Sequence, residues 1–208
     1  MKAEFVTSAV DAAGFPHERL PEVAFAGRSN VGKSSLINAL VRQKVARTSA
    51  APGKTRLANF YRVAPGGPPP FYLVDLPGYG YARGGEAAKR EFDAIAGAYF
   101  SAGQARGVLH LIDSRHPDLD SDRLAADWLQ RLDLPYLVVA TKLDKLTRND
   151  RVKHVRELER LHEGPVLGVS VQTGEGLKEL WKTIDALLRP QPPETEPQAQ
   201  PPNRKNST

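Results

Sequence analysis

Cysteine is absent from the 208 residues of this chain. Disulfides and thiolate metal sites are therefore excluded, and we expect a cytoplasmic location, where disulfides are rare. No apolar run approaches the roughly 18 residues that a membrane span needs, and the N-terminus lacks the apolar core of a signal peptide, so no membrane partner is predicted. The five histidines form no H-E-x-x-H motif, and a structural zinc site is not expected.

The charge of the chain is mildly basic, with 29 Lys and Arg against 24 Asp and Glu and a net charge of +5. This excess is compatible with RNA contact but does not identify it. The length suits one α/β domain with an appendage. We predict a lead-in over residues 1–21, in which Phe5 and Val6 either add an edge strand or pack on the domain. The domain itself spans residues 22–189, and a disordered tail rich in Pro and Gln occupies residues 190–208.

A phosphate-binding motif stands near the start of the predicted domain. Residues 27–34 read G-x-x-x-x-G-K-S, in which the glycines let the backbone curl so that N–H groups cradle phosphate oxygens. Lys33 reaches the β- and γ-phosphates, and the Ser34 hydroxyl ligates Mg²⁺. An apolar strand before the motif and a helix to about Arg42 give the context that it requires. The predicted nucleotide contacts are Gly27, Arg28, Ser29, Asn30, Val31, Gly32, Lys33 and Ser34.

A second motif, D-x-x-G, follows the apolar strand predicted over residues 71–74. Its Asp75 would hold Mg²⁺ through water, and the Gly78 N–H would sense the γ-phosphate. Leu76 and Pro77 complete the predicted contacts of this motif. The next residue is Tyr79, where Ras-type enzymes carry a Gln that orients the attacking water. A phenol cannot reproduce that carboxamide, so unaided hydrolysis should be slow.

Two later segments predict recognition of guanine. Thr141-Lys142-Leu143-Asp144 is close to N-K-x-D, in which the carboxylate accepts hydrogen bonds from guanine groups that adenine lacks. Lys142 can lay its aliphatic stem on the base, whereas Thr141 lacks the amide of the usual Asn. A loop close to S-A-x-x-G follows a later strand, and its backbone would cap guanine O6. The contacts predicted from this loop are Val169, Ser170 and Val171.

A loop at residues 48–56, rich in small residues, lies between the P-loop helix and an apolar strand. In P-loop GTPases one Thr of this loop completes the Mg²⁺ shell. Thr55 is the candidate and Thr48 the alternative, and a plain surface loop remains a third interpretation. The predicted nucleotide contacts here are Gly53, Lys54, Thr55, Arg56 and Leu57.

Together with the motifs, the predicted strands and helices resemble an α/β, three-layer P-loop NTPase of the Ras-like G-domain type, which is the fold class we expect. Its sheet would be mostly parallel with one antiparallel edge strand, and helices would cover both faces. His110 lies in an apolar strand and is interpreted as a core residue. Two helices are given inward faces, one with Leu124, Trp128, Leu129 and Leu132, and one with Val152, Val155, Leu158 and Leu161. The second helix carries an outward basic stripe of Lys153, Arg156 and Arg160.

With these motifs together, the chain resembles the EngB family of the TrmE–Era–EngA–EngB–Septin-like P-loop GTPases. The resemblance covers residues 4–188 and is carried by residues 25–38, Pro52-Gly53-Lys54-Thr55, residues 75–82 and Thr141-Lys142-Leu143-Asp144. Thr141, unusual in GTPases at large, is ordinary in this family. The chain departs from the family at Arg56, where Gln is common, at Val171 and in its long tail.

The resemblance implies a Mg²⁺-dependent GTPase that binds GTP and GDP, acts as a monomer and uses Lys33, Thr55 and Gly78 in catalysis. It also implies binding to the rRNA and proteins of the large ribosomal subunit late in assembly, and an association with cell division and septation. Asn30 occupies the P-loop position that binds K⁺ in relatives resembling TrmE; alternatively, Asn30 only hydrogen-bonds within the loop. Two other functions stay open: a nucleotide-gated binding module with incidental hydrolysis, and an ATP-using P-loop kinase.

Overall fold

A computed structural model describes residues 1–47, 57–79 and 85–189. Several predicted features lie outside these ranges and are not described further. They are the tail 190–208, the candidate Mg²⁺ ligand Thr55, its alternative Thr48, and the neighbouring contacts Gly53, Lys54 and Arg56.

The core of the fold is a seven-stranded sheet with the order β1-β3-β4-β2-β5-β6-β7. The strands β2, β4, β5, β6 and β7 are parallel, and antiparallel pairing is confined to one edge, where β3 lies between β1 and β4. The predicted fold class is thereby confirmed. The strands are β1 (Lys2–Ala9), β2 (Glu22–Gly27), β3 (Ala58–Ala64), β4 (Phe71–Asp75), β5 (Ala105–Asp113), β6 (Tyr136–Thr141) and β7 (Val166–Gly168).

The edge strand β1 comes from the predicted lead-in, so of the two alternatives for Phe5 and Val6 the structure shows the edge strand. Its pairing with β3 shifts register between Phe5 and Thr7, which makes Val6 the extra residue of a bulge. Phe5 remains half exposed and rests its ring on Tyr61.

Five helices cover the sheet as two outer layers. Because side chains alternate along a strand, Val23 and Phe25 of β2 face one layer while Ala24 and Ala26 face the other. The first layer is formed by α1 and α5, and the second by α2, α3 and α4. The helices are α1 (Lys33–Val41), α2 (Gly85–Ser101), α3 (Asp120–Gln130), α4 (Arg148–Leu161) and α5 (Leu177–Leu188).

The inward faces of α3 and α4 differ from the prediction at one apolar residue in each helix. Leu124 is 66% exposed and Val152 is 51% exposed, so both assignments were wrong. At 100° per residue Leu124 lies far around the helix from the buried Leu129, and Val152 lies far from the buried Leu158. The buried face of α3 instead includes Asp122 and Ala126.

No helix in the described ranges has the length and apolarity that crossing a bilayer requires.

A buried carboxyl group stands at the start of the central strand. Glu22 is 6% exposed, and burial raises its pKa to about 7, although the neighbouring Tyr99 hydroxyl acts in the opposite direction. Because the pKa is higher in the folded chain than in the unfolded chain, the stability that this group contributes is complete below about pH 4.5 and is lost as the pH rises through 7.

We therefore expect Glu22→Gln to change how stability depends on pH. Between pH 5 and pH 8 the unfolding free energy of the wild type should fall relative to the variant by up to about 3 kcal/mol. Urea denaturation across this pH range measures the difference. Glu179→Gln, which removes an exposed carboxylate on α5, is the matched control. A constant difference between wild type and Glu22→Gln would contradict the assignment.

Candidate functional site

The predicted site residues meet at one edge of the sheet. Parallel strands place their carboxyl ends together, and in open α/β sheets ligands bind in the crevice beyond those ends. Here β2 ends at Gly27, β4 at Asp75, β5 at Asp113 and β6 at Thr141. The loops that follow these strands carry the P-loop, the D-x-x-G motif and the Thr141–Asp144 motif.

The P-loop curls over the end of β2 and leads directly into α1. Gly32 precedes the helix with a left-handed φ of +116°, a conformation that glycine adopts without strain. Lys33 is 7% exposed, and its Nζ donates to the Gly27 carbonyl at 3.1 Å. A Cβ on Gly27 would lie 2.8 Å from the Leu111 carbonyl, so the loop is packed tightly against β5.

Ser34 and Asp75 are positioned side by side as the two described candidates for holding Mg²⁺. Ser34 Oγ donates to Asp75 Oδ2 at 2.8 Å, and Asp75 Oδ1 lies 3.8 Å from Lys33 Nζ. Asp75 Oδ1 is buried without a hydrogen-bond partner. A buried carboxylate oxygen with unused acceptor capacity beside a hydroxyl fits a hard cation that prefers oxygen ligands.

Burial sets the protonation behaviour of this pair. It lowers the pKa of the Lys33 ammonium and raises the pKa of Asp75, and the attraction between the two groups opposes both shifts. The Ser34 hydroxyl adds to the stabilisation of the Asp75 carboxylate. Lys33 and Asp75 therefore depend on each other for their charged forms.

The D-x-x-G segment runs directly beside the P-loop. Leu76 is fully buried, and its N–H donates to the Phe25 carbonyl at 3.1 Å. A Cβ on Gly78 would lie 2.6 Å from Ser29 Oγ, so only glycine allows this approach. Pro77, between Leu76 and Gly78, is buried as well. The P-loop and the predicted γ-phosphate sensor are thus in contact along their backbones.

Thr141 ties the guanine motif to the P-loop. Its Oγ1 lies 2.9 Å from the Val31 carbonyl and 3.1 Å from the Ile112 carbonyl, and the residue is 4% exposed. The hydroxyl therefore points toward the P-loop backbone and not toward solvent. The amide that the sequence lacks at this position is replaced by a hydroxyl that braces the loop.

Lys142 crosses the site in a left-handed conformation with φ +62°. Its Nζ donates to the Asn30 carbonyl at 2.7 Å and to Asp113 Oδ2 at 2.8 Å. Of the other predicted contacts, Leu57 is half-buried and Asn30 is exposed. The Lys142 ammonium is anchored at both sides, which holds its aliphatic stem across the predicted base site.

Asp113 is a site residue that the sequence analysis missed. It receives Arg115 at 2.7 Å as well as Lys142. Burial would raise its pKa, but these two cations and the Arg115 N–H hold the pKa well below its usual range. Its position could have identified it as a site residue, because Asp113 stands at the carboxyl end of a buried parallel strand that lies next to the P-loop strand in the sheet.

Asp144 faces the loop that begins at Ser170. Ser170 Oγ donates to Asp144 Oδ1 at 2.8 Å, and the Leu143 N–H donates to the Val169 carbonyl at 3.3 Å. Burial alone would raise the pKa of Asp144, but the Ser170 hydroxyl, its own backbone and Lys145 bring it below its ordinary value. Asp144 is therefore an ionised acceptor. Val171, 37% exposed, follows at the rim of the loop.

The predicted contact Arg28 and the residue after D-x-x-G, Tyr79, both direct their side chains away from the nucleotide site. The Arg28 side chain binds Asp122 of α3 at 3.1 Å, and the Tyr79 ring is buried with its hydroxyl bonded to Asp122 and His110. His110 is fully buried, which confirms its interpretation as a core residue, and burial together with His162 lowers its pKa to about 3. Asp122 has no motif of its own and was not predicted.

The fold and the site together define a P-loop GTPase: a phosphate-binding loop, a Ser–Asp pair fit for Mg²⁺, and an ionised carboxylate fit for guanine. A family model described as a 50S ribosome-binding GTPase matches residues 22–142. The probable GTP-binding protein EngB of Symbiobacterium thermophilum is 44% identical, over 88% of this chain and 94% of that protein. The chain belongs to the EngB family of GTP-binding proteins.

Solved structures agree with this assignment. A crystal structure of an EngB GTP-binding protein superposes with a TM-score of 0.65 and 26% identity, covering 80% of this chain and 98% of that one. Era in complex with MgGDPNP and a segment of 16S ribosomal RNA superposes with a TM-score of 0.69 and 25% identity. That match covers 86% of this chain and 60% of the Era chain.

The choice of guanine is expected to depend on Asp144. Asp144→Asn replaces an acceptor with an amide, which should weaken GDP binding by about 1.5–3 kcal/mol and favour xanthine nucleotides. Titration with guanosine and xanthosine diphosphates measures both effects. Asp185→Asn, the same substitution at an exposed position of α5, is the control. Unchanged GDP affinity in Asp144→Asn would show that another group selects the base.

Proposed function

We propose that this GTPase is Mg²⁺-dependent and binds the large ribosomal subunit in the cytoplasm, as a monomer, during late assembly. Its link to cell division and septation would follow from that role. The observation that carries the proposal is the match of residues 22–142 to a family whose description is that of a 50S ribosome-binding GTPase. The Era structure, which contains ribosomal RNA, adds that this fold can work beside RNA.

The residues of the site divide the work of hydrolysis. Lys33 exchanges its bond to the Gly27 carbonyl for the β- and γ-phosphates, which lie where the P-loop N–H groups converge. Ser34 and Asp75 would hold Mg²⁺, which supplies charge neutralisation to the phosphates when bound. Asp144 and Lys142 orient the base. The phosphoryl group is thereby positioned for attack by water.

The attacking water must also be positioned, and the residue that follows D-x-x-G here is not the Gln that performs this step in Ras-type enzymes. Tyr79 takes that position in the sequence but directs its hydroxyl into the protein. Slow intrinsic hydrolysis is therefore expected. This observation also favours the second candidate function, a nucleotide-gated binding module in which hydrolysis is incidental.

The outward face of α4 supports an RNA contact. Lys153, Arg156 and Arg160 are exposed along this helix, which begins shortly after Asp144. Two other cations of the same region are engaged within the protein: Lys142 binds Asp113, and Arg151 binds Glu175 at 2.9 Å. The RNA contact is therefore assigned to the outward stripe itself, and Lys153 and Arg156 are the members that the test changes. The alternative is an ordinary solvated helix face.

Charge reversal on α4 tests the RNA contact. The double variant Lys153→Glu with Arg156→Glu should weaken binding to large subunits, and wild-type binding should fall steeply with salt because phosphate contacts release counterions. Co-sedimentation across a salt series measures both. Lys178→Glu with Lys182→Glu makes the same charge change on exposed positions of α5 and should bind normally. Equal binding by both double variants would leave only the solvated-face interpretation.

A monovalent cation is a further element of the proposal. Asn30 is exposed beside Ser29 with a left-handed φ of +60°, so its carboxamide is accessible to a cation from solvent. A carboxamide oxygen suits K⁺, which could offset charge that develops between the β- and γ-phosphates.

Turnover at fixed ionic strength, with Mg²⁺ present and Na⁺ exchanged for K⁺, tests this role. K⁺ should stimulate the wild type, and Asn30→Ala should lose the stimulation. Asn30→Gly removes the same carboxamide without the strain that Ala meets at positive φ, and it should behave like Asn30→Ala. Equal wild-type rates in both salts, with and without ribosomal subunits, would exclude K⁺ activation.

A further inference from the structure

A chain of buried polar groups lies beneath the D-x-x-G segment and takes no part in the site described above. It runs from Tyr136 of β6 through His110 of β5 to Tyr79, and from there to Asp122 of α3 and Arg28 of the P-loop. His110, Asp122 and Tyr79 are 0%, 1% and 8% exposed. Buried polar groups are costly unless they are fully hydrogen-bonded, so such a chain on three strands or helices calls for a function.

The donors and acceptors of the chain allow one consistent arrangement. Burial raises the pKa of Asp122, and the Arg28 guanidinium opposes this shift by favouring the carboxylate. As a carboxylate Asp122 can only accept, so Tyr79 O–H donates to Asp122 Oδ1 at 2.8 Å and Arg28 Nε–H donates to Asp122 Oδ2 at 3.1 Å. Tyr79 then accepts from His110 Nε2–H, and His110 Nδ1 accepts from Tyr136 O–H at 2.6 Å. Every proton is used once, so each bond of the chain has a defined donor and acceptor.

The chain returns to the P-loop at a second point. The Tyr79 carbonyl accepts from the Ser29 N–H at 3.3 Å, while the side chain of the preceding residue, Arg28, binds Asp122. Two successive P-loop residues are thus joined to Tyr79, one directly and one through Asp122. Gly78 lies inside this ring of contacts, packed against Ser29.

We propose that Tyr79 and Asp122 are positioning residues for GTP hydrolysis: together they hold the Gly78 N–H at the γ-phosphate position of the P-loop. The Tyr79 phenol replaces the Gln of Ras-type enzymes in sequence but not in role. The Tyr79 side chain does not orient water; it holds the backbone of the preceding residue, Gly78, in place. GDP has no γ-phosphate, so its binding does not depend on this arrangement.

The structure provides a matched pair of substitutions. Tyr79→Phe and Tyr136→Phe each remove one hydroxyl from the two sides of His110, but only the first breaks the side-chain link to Asp122 and, through it, to Arg28. Tyr79→Phe should lower kcat for GTP and weaken binding of a non-hydrolysable GTP analogue, each on the order of tenfold. Its affinity for GDP should stay within about twofold. Tyr136→Phe should retain wild-type turnover and wild-type affinity for both nucleotides.

Asp122→Asn tests the other partner of the bond. Its amide cannot accept from both Tyr79 and Arg28, so it should reproduce the Tyr79→Phe phenotype. Because both substitutions break one shared link, the double variant should be no slower than the slower single variant. Denaturation midpoints of all variants separate positioning from folding, since loss of stability alone would affect Tyr136→Phe as well.

Several results would overturn the proposal. These are unchanged or faster turnover in Tyr79→Phe, equal effects of Tyr79→Phe and Tyr136→Phe, or equal losses of GDP and GTP-analogue affinity. All assays use the isolated full chain without ribosomal subunits. Their failure would therefore leave the proposed ribosomal partner unaffected, and failure of that partnership would leave this test valid.

Discussion

The buried pairing of Lys33 with Asp75 is the constraint on which the rest of the structure depends. Both side chains are almost fully inaccessible, and removing either partner would leave an uncompensated buried charge. The pair requires the end of β2 and the end of β4 to lie side by side, with α1 starting immediately beyond them. The parallel centre of the sheet provides this arrangement, and the antiparallel strands can then only be added at its margin.

The outer parts of the site are also held to the P-loop by specific contacts. Thr141 and Lys142 come from the guanine motif and Tyr79 follows D-x-x-G, yet each contacts the backbone of the P-loop, at Val31, Asn30 and Ser29 respectively. The P-loop is therefore held at three successive residues by neighbouring segments of the site. Thr141 and Lys142 make their contacts through side chains, whereas Tyr79 uses its backbone carbonyl.

Much of this architecture could be predicted from the sequence, because its signals are local. The G-x-x-x-x-G-K-S and D-x-x-G motifs have fixed spacings, and apolar runs between them locate the strands to within a few residues. The failures are of a different kind. Leu124 and Val152 were assigned to inward faces because hydrophobicity was counted without knowing the direction in which each helix meets the sheet.

The missed site residues share one cause. Asp113 and Asp122 act through partners that are distant in sequence, namely Lys142, Arg28 and Tyr79. No pattern in the sequence identifies Asp122, in the first turn of α3, as the acceptor for Tyr79, which lies 43 positions away. Likewise Arg28 was assigned to the nucleotide because it lies within the P-loop motif, whereas the fold turns its side chain toward Asp122 of α3.

The edge strand has a consequence for the order in which the chain folds. Lys2 of β1 pairs with Ala64 of β3, so the residues of β1 find their partner strand only after the P-loop helix and the residues up to β3 have been made. Such long-range pairing slows folding because the loop must close before the contact is gained. Until then β1 is unpaired, with the apolar side chains of Phe5 and Val6 along it. Once β1 has joined the sheet, the bulge at Val6 interrupts its regular edge, which limits pairing of that edge with other chains.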